Sequence, residues 1–249
     1  MKKFLTYIMD IGEHMLRAGA EVHRVEDSVK RMALSLGASR VDVFIITSSM
    51  VVTVFVDEGN PITQTRRITS SSTDYEKIHR LNDLSRKICE KKPSADEIEA
   101  DLAAAISCKS YPFPLEMICY ALIAGAFTVF FGGNAADAAV SFVIGALLRL
   151  VVHFSEKIMS NKIFSKFFSS FTATLFAFAA LSLGLIEGVD KVMIGNIMLL
   201  IPGIGLTNAI RDLFTGDSIA GLFRSIEAAL TALAIAAGYF AVVFLGGAL

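Results

Sequence analysis

The chain has 249 residues, of which 54% are hydrophobic and only 19% are charged, and its mean hydropathy is +0.59. This composition is too apolar for an ordinary soluble domain and predicts a membrane protein. The formal net charge is −1 and no basic run is present, which excludes a nucleic-acid partner. Cys89, Cys108 and Cys119 form no CxxC pair, and we interpret them as structural thiols.

Charge is concentrated in the first part of the chain. Residues 1–114 carry 16 of the 23 Lys and Arg residues and 16 of the 24 Asp and Glu residues. Pro112 and Pro114 cannot continue a helix and therefore mark a linker. We predict a polar, cytoplasmic domain over residues 1–110 and a membrane domain over residues 111–249.

The polar domain begins with two predicted amphipathic helices joined around Gly19-Ala20. Apolar residues recur in each at three- and four-residue steps: Phe4, Ile8, Ile11 and Met15 in the first, and Val22, Val25, Val29, Met32 and Leu36 in the second. This period places each set on one helix face. We expect the second face to pack on the strands that follow.

The pattern then changes to strands and returns to helices. VDVFII, MVVTVFV and ITQTRRI are short and rich in β-branched residues, and the turn residues Asp57-Glu58-Gly59-Asn60 predict a hairpin between the last two. Two more helices follow, with predicted capping boxes at Thr73 with Glu76 and at Ser94 with Glu97. The predicted order is ααβββαα, an α+β domain.

Apolar runs after the linker are long enough to cross a bilayer, which takes about 20 helical residues. Five spans are predicted, at Leu115–Phe131, Ala135–Val152, Phe167–Ile186, Lys191–Asp212 and Ser218–Leu245. Lys and Arg residues are concentrated in alternate connectors, with four of them at Arg149, Lys157, Lys162 and Lys166. By the positive-inside rule the N-terminal domain lies in the cytoplasm and the C-terminus outside.

The fourth predicted span, in the stretch LLIPGIGLTNAIRDLF, contains a helix-breaking pair, Pro202-Gly203. Pro202 lies about halfway across the bilayer at ~1.5 Å per residue, and proline frees backbone carbonyls that lipid cannot satisfy. The half-helix after the break presents its positive N-terminal end, which suits an anionic group. We predict a substrate site at this break.

The candidate substrate-binding residues are the polar and small residues near the break and one carboxylate on the last span: Asn196, Pro202, Gly203, Gly205, Thr207, Asn208, Arg211, Asp212 and Glu227. Each has an alternative structural role. The kink can serve packing alone, the asparagines can join helices, and Arg211 and Asp212 can lie at the cytoplasmic interface. Glu227 lies about 14 Å inside the membrane if its helix starts at Ser218, and at the interface if the helix starts at Arg224.

We assign no metal, because His14, His23, His79 and His153 lack metal-ligand spacing, and no cofactor. An alternative function is a membrane-tethered hydrolase with Ser48 or Ser49 as nucleophile and His23 as base. No GxSxG motif surrounds either serine, so we assign no catalytic residue.

PGIGLTNAIRDLFTGD, with Arg224 and Glu227 downstream, and RAGAEVHRVEDSVKRMALSLGA resemble the bacterial threonine/serine exporter family. The resemblance covers nearly the whole chain. It implies a multi-span domain in the bacterial inner membrane and export of small polar metabolites, either threonine/serine-type amino acids or, as in related split members, small dicarboxylates. The family motif falls on Pro202, Gly203, Leu206, Asn208, Asp212, Gly216 and Asp217. Because full-length members continue into a second hydrophobic half, the resemblance also implies a second membrane polypeptide, a homo-oligomer, or both.

Overall fold

The computed structural model describes residues 1–57, 59–107, 111–159 and 161–246, so Glu58 of the predicted turn and Cys108 lie outside the described residues. Within these ranges the chain forms ten helices and one three-stranded sheet. It divides into two compact units. The first contains Met1–Lys109 and Thr207–Ser225, and the second contains Ser110–Leu206 and Ile226–Leu249. The segment Thr207–Ser225 thus joins the N-terminal residues, whereas the domain limits at residues 110 and 111 stay a prediction.

The first unit begins with two helices, α1 (Lys2–Arg17) and α2 (Val22–Ser35). Their predicted apolar faces are confirmed: Ile8, Ile11 and Met15 of α1 are fully buried, and so are Val25 and Val29 of α2. Both faces belong to one core with the sheet. The periodicity of the sequence is therefore sufficient to identify the packed sides of these helices.

The sheet has the order β1-β2-β3, with β1 at Arg40–Ile46, β2 at Ser49–Phe55 and β3 at Ile62–Arg67. Both pairs are antiparallel, with Val43 opposite Val52 and Val54 opposite Ile62. Alternate residues of β2 are buried, as a strand with one face on a core requires. The three predicted strands are confirmed.

Two helices complete the predicted ααβββαα order, α3 (Tyr75–Lys91) and α4 (Ala95–Ile106). The capping box of Ser94 with Glu97 is confirmed. The box predicted at Thr73 is wrong, because Asp74 caps α3 by accepting from the Lys77 amide at 2.9 Å. The Asp74 amide itself donates to the Ala18 carbonyl at 3.0 Å, which holds Asp74 in the extended geometry of a cap.

The remaining helices are α5 (Phe113–Phe130), α6 (Ala135–Ile158), α7 (Lys162–Ser182), α8 (Val189–Ile197), α9 (Gly203–Thr215) and α10 (Ser218–Gly246). Among the described residues, four helices are long and apolar enough to cross a membrane, namely α5, α6, α7 and α10. The chain is a membrane protein of mostly helical structure. The predicted span Lys191–Asp212 is instead divided between α8 and α9, so the count of five spans stays a prediction.

Glycines allow close helix packing in the second unit. A Cβ on Gly145 of α6 would lie 2.7 Å from the Tyr120 carbonyl oxygen of α5, and one on Gly195 of α8 would lie 2.9 Å from the Ala124 carbonyl oxygen. Both distances are too short for a side chain. The contacts of α5 with α6 and α8 therefore depend on small residues, as is common between membrane helices.

Candidate functional site

Four residues join α1 to α2, and we call this segment, Ala18–Glu21, the junction. Gly19 has a positive φ of 89°, and a Cβ there would lie 3.0 Å from the Ser72 carbonyl oxygen. Glycine meets both constraints because it has no side chain. The chain therefore turns sharply here and leaves the carbonyl groups of Gly19 and Ala20 available as acceptors.

The segment Thr207–Ser225 of the same unit folds back on itself, and we call it the hairpin. Gly216 has a φ of 96°, and the Asp217 amide donates to the Asp212 carbonyl at 2.9 Å across the turn. Beyond the turn, a Cβ on Gly221 of α10 would lie 2.9 Å from the Ala209 carbonyl oxygen of α9. The ends of α9 and α10 thus pack directly against each other.

Polar side chains of the hairpin bind the junction. Asn208 Nδ2 donates to the Gly19 carbonyl at 3.4 Å, and Arg224 Nη2 donates to the Ala20 carbonyl at 3.0 Å. Arg211 forms an ion pair with Glu21. The two sequence segments that carried the family resemblance are therefore brought into contact within one unit.

Asp212 is the buried charge of this cluster. Its side chain is 1% exposed and lies 3.3 Å from Arg224 Nη1, whose side chain is 15% exposed. The carboxylate lies against the Val22 amide, at the start of α2, without completing a hydrogen bond to a described residue. Asp212 is thus held by one cation and by the positive end of a helix.

Two further carboxylates, Glu26 and Asp217, lie beside this cluster. Glu26 Oε1 accepts from the Ile45 amide at 2.9 Å. Burial raises the pKa of the Glu26 carboxyl, and the Asp217 charge acts in the same direction. Oδ2 of Asp217 is itself buried and has no hydrogen-bond partner within the described ranges. Ionisation of the Glu26 carboxyl is therefore opposed by its surroundings.

Asn196 lies in the second unit, where it is 1% exposed. Its Nδ2 atom donates to Ser141 Oγ at 2.8 Å and to the Val192 carbonyl at 2.9 Å. Thr128 Oγ1 lies 2.7 Å from the same Ser141 oxygen, so α5, α6 and α8 share one polar network. Oδ1 of Asn196 has no partner among the residues that the structure describes. A donor from a ligand or from water would satisfy it.

The helix is interrupted where the sequence predicts. Residues 198–202 separate α8 from α9, and the Leu199 and Leu200 amides bond in tight turns to the Asn196 and Ile197 carbonyls. Gly203 and Gly205 lie in the first turn of α9, and Thr207 follows on an exposed position. Pro202 lacks an amide donor, which explains why α8 and α9 do not merge.

Glu227 is exposed on α10, which begins at Ser218, the earlier of its two possible starts. It forms no ion pair within the described part of the chain. A carboxylate nine residues into an apolar helix is costly in contact with lipid.

Sequence reasoning missed Asp137, a buried residue of α6. Its carboxylate accepts from the Asn134 amide at 3.1 Å, and from the Glu187 and Gly188 amides at 3.0 and 3.2 Å. One side chain therefore caps α6 and holds the start of α8. The spacing of Asn134 and Asp137 is a capping signal that could have identified the first role, but not the contact with residues 50 positions away.

The structure gives the hydrolase alternative no support. His23 forms no hydrogen bond with Ser48 or Ser49 in the described part of the chain, and Ser48 lies in the turn between β1 and β2. Nucleophile and base must reach hydrogen-bond range. The described residues also contain no group of three or more His, Cys, Asp or Glu side chains that could hold a metal ion.

Comparison with known proteins agrees with the sequence resemblance. Residues 6–246 match the model of the family described as "Putative threonine/serine exporter". The chain is 24% identical over 237 residues to "Threonine/serine exporter" of Corynebacterium glutamicum, covering 92% of this chain and 48% of that protein. It is also 24% identical over 226 residues to "Probable succinate transporter subunit YjjP" of Klebsiella aerogenes, covering 90% of this chain and 87% of that one.

The chain thus spans about half the length of the Corynebacterium relative. No solved structure matches it. The family match covers nearly all of the chain, including both the junction and the hairpin. The chain therefore belongs to the threonine/serine exporter family, a family of membrane transporters.

Proposed function

We propose that the chain is one component of a secondary exporter that moves small polar metabolites across the bacterial inner membrane. Its substrates are threonine/serine-type amino acids or small dicarboxylates; one relative is named a threonine/serine exporter and another a probable succinate transporter subunit. The N-terminal residues lie in the cytoplasm and the C-terminus outside, as the distribution of Lys and Arg between connectors predicts.

The observation that carries this proposal is the interruption between α8 and α9 in a member of an exporter family. A break in an apolar segment exposes backbone carbonyls at the end of one half-helix and amides at the start of the next. These groups suit a zwitterion or an anion, because they offer partial charges of both signs. The break is thus a chemically suitable substrate site.

The residues proposed to act on substrate lie before the break, in it, after it and on α10. Asn196 precedes the break, and its free Oδ1 accepts a donor such as a substrate ammonium or hydroxyl. Pro202, Gly203 and Gly205 form the break, and Thr207, Asn208, Arg211 and Asp212 follow it. Glu227 is the candidate for proton coupling or for binding a substrate ammonium.

We also propose that the exporter needs a second membrane polypeptide. The chain spans about half of the Corynebacterium relative, and the other relative is named a subunit. In the second unit, Glu227 lies exposed between Ile226 and Leu230, which are exposed as well. A partner helix that offers a polar group to Glu227 would spare this face the cost of placing a carboxylate in lipid.

The test is transport by the full chain, reconstituted in proteoliposomes with a co-expressed second polypeptide. Labelled threonine, serine and succinate are compared as substrates. We expect Asn208→Leu to reduce flux at least about tenfold while insertion and assembly are unchanged, since leucine keeps the branched shape of asparagine and loses its amide. Ile210→Leu, at an exposed apolar position on the same helix, is the matched control.

Normal export by Asn208→Leu would show that the segment after the break is only a bent helix. Absence of flux of all three compounds from the wild-type pair would contradict the exporter proposal itself.

A further inference from the structure

Asp212 is a buried charged residue on a helix, α9, that is otherwise mostly exposed. Only Ala209 and Asp212 of this helix are buried, and a carboxylate is expensive to remove from water unless polar groups replace the hydration. Arg224 supplies one such group at 3.3 Å. The choice of an aspartate at so closed a position therefore needs an explanation beyond packing.

The start of α2 supplies the second group. The N-cap residue of α2, Glu21, makes no side-chain capping hydrogen bond. Amides in the first turn of a helix have no partner within the helix and carry partial positive charge. The Asp212 carboxylate lies against the first of them, at Val22. An acidic side chain from α9 thus faces the positive end of α2, without a capping hydrogen bond to a described residue.

Arg224 contacts both the hairpin and the junction. One nitrogen pairs with Asp212, and another donates to the Ala20 carbonyl, so a single guanidinium bridges the hairpin and the junction. Ala220, one turn earlier on α10, is 2% exposed and packs in the core formed by α1, α2 and the sheet. The start of α10 is therefore fixed to the first unit by both polar and apolar contacts.

We propose that Asp212 and Arg224 are positioning residues that fasten the hairpin to the junction, and that this attachment sets the rate of transport and not the affinity for substrate. We call the attachment the latch. It rests on the proposed function, and it narrows the role of Asp212 from substrate contact to control of helix position. The latch holds the end of α9, which begins at the break, and the start of α10, so its opening changes the freedom of both helices.

Asp212→Asn tests the latch in the full chain, because asparagine keeps the shape and one acceptor oxygen but loses the charge. We expect the maximal rate of transport in proteoliposomes to rise or fall about tenfold. The half-saturation concentration for substrate should stay within about twofold of the wild-type value. Hydrogen exchange at the Val22 amide, measured without any substrate, should become faster when the buried Asp212 charge no longer holds the hairpin against it. Phe214→Leu, at an exposed position on the same helix, is the control for both readouts.

Arg224→Lys is the second variant, in case Asp212→Asn fails to assemble. Lysine keeps a positive charge beside Asp212 but cannot also reach the Ala20 carbonyl with a planar fork. The same change in rate at constant half-saturation concentration is expected, to a smaller extent.

Three outcomes would overturn the latch: a raised half-saturation concentration at constant maximal rate, an unchanged Val22 exchange rate, or faster Val22 exchange with unaltered transport. The first would assign Asp212 to substrate, and the last would make the contact purely structural. Lack of flux from the wild-type pair would instead reject the proposed exporter, a failure that the Val22 measurement keeps separate.

Discussion

At the scale of single residues, the polar groups of this chain make contacts that cannot be predicted from their positions in the sequence. Arg224 lies 204 positions from Ala20 and donates to its carbonyl. Asp137 accepts from backbone amides of Glu187 and Gly188. In both cases one charged side chain satisfies backbone groups at a helix end or turn, where no regular hydrogen-bond partner exists.

Asp137→Ala should therefore lower the stability of the second unit by about 2 kcal/mol or more, because three backbone amides lose their acceptor together. Asp137→Asn keeps one acceptor oxygen and should cost less. Thermal unfolding of the purified protein in detergent measures both, with exposed Asp190→Ala as the control. Equal midpoints for Asp137→Ala and the control would show that the contact contributes nothing.

At the scale of elements, the helices of the two units pack by different means. The helices α1 and α2 bury wide faces of large residues such as Ile8, Met15 and Val29. In the second unit, α6 and α8 approach α5 through Gly145 and Gly195. Lipid is as apolar as a leucine side chain, so helix contact there depends on close packing and not on removal from water.

Gly145→Leu should separate α5 from α6, since the new Cβ would lie 2.7 Å from Ala124 Cβ and from the Tyr120 carbonyl oxygen. The expected loss is about 2 kcal/mol or more, the usual result of overpacking against backbone. Yield and thermal midpoint in detergent report it. Val143→Leu, exposed on the same helix, should match the wild type; an equal loss in both variants would point to the added volume alone.

At the scale of the whole molecule, the chain resembles one half of a longer transporter. It covers 48% of the Corynebacterium relative and 87% of the Klebsiella subunit. In addition, Glu227 is exposed on the apolar helix α10. Both observations are consistent with the second polypeptide proposed above.

We expect the chain alone to give background flux in proteoliposomes. Addition of a polypeptide corresponding to the uncovered half of the relative should raise flux at least about tenfold. Co-purification of the two chains is the parallel measurement, and Glu227→Leu should weaken it, whereas Asp190→Ala should not. Full transport by the chain alone would contradict the need for a partner.

The sequence alone determined the elements and the class of the protein. Periods of 3.6 and 2 residues identified α1, α2 and the three strands because side-chain burial follows backbone geometry. Pro202 located the break because proline lacks an amide donor. The motifs around Gly19 and Asn208 indicated the family, and a capping box located the start of α4. All these signals act within a few residues along the chain.

Only the tertiary structure decided which distant groups meet. It placed Asn208 and Arg224 on the junction, whereas the sequence predicted for Asn208 only a substrate site at the break. It also made Asp74, and not Thr73, the cap of α3, through a bond to Ala18. A buried donor or acceptor needs a hydrogen-bond partner, but a local sequence pattern does not identify which distant backbone group is that partner. That choice depends on how helices and turns pack, and it positions the latch.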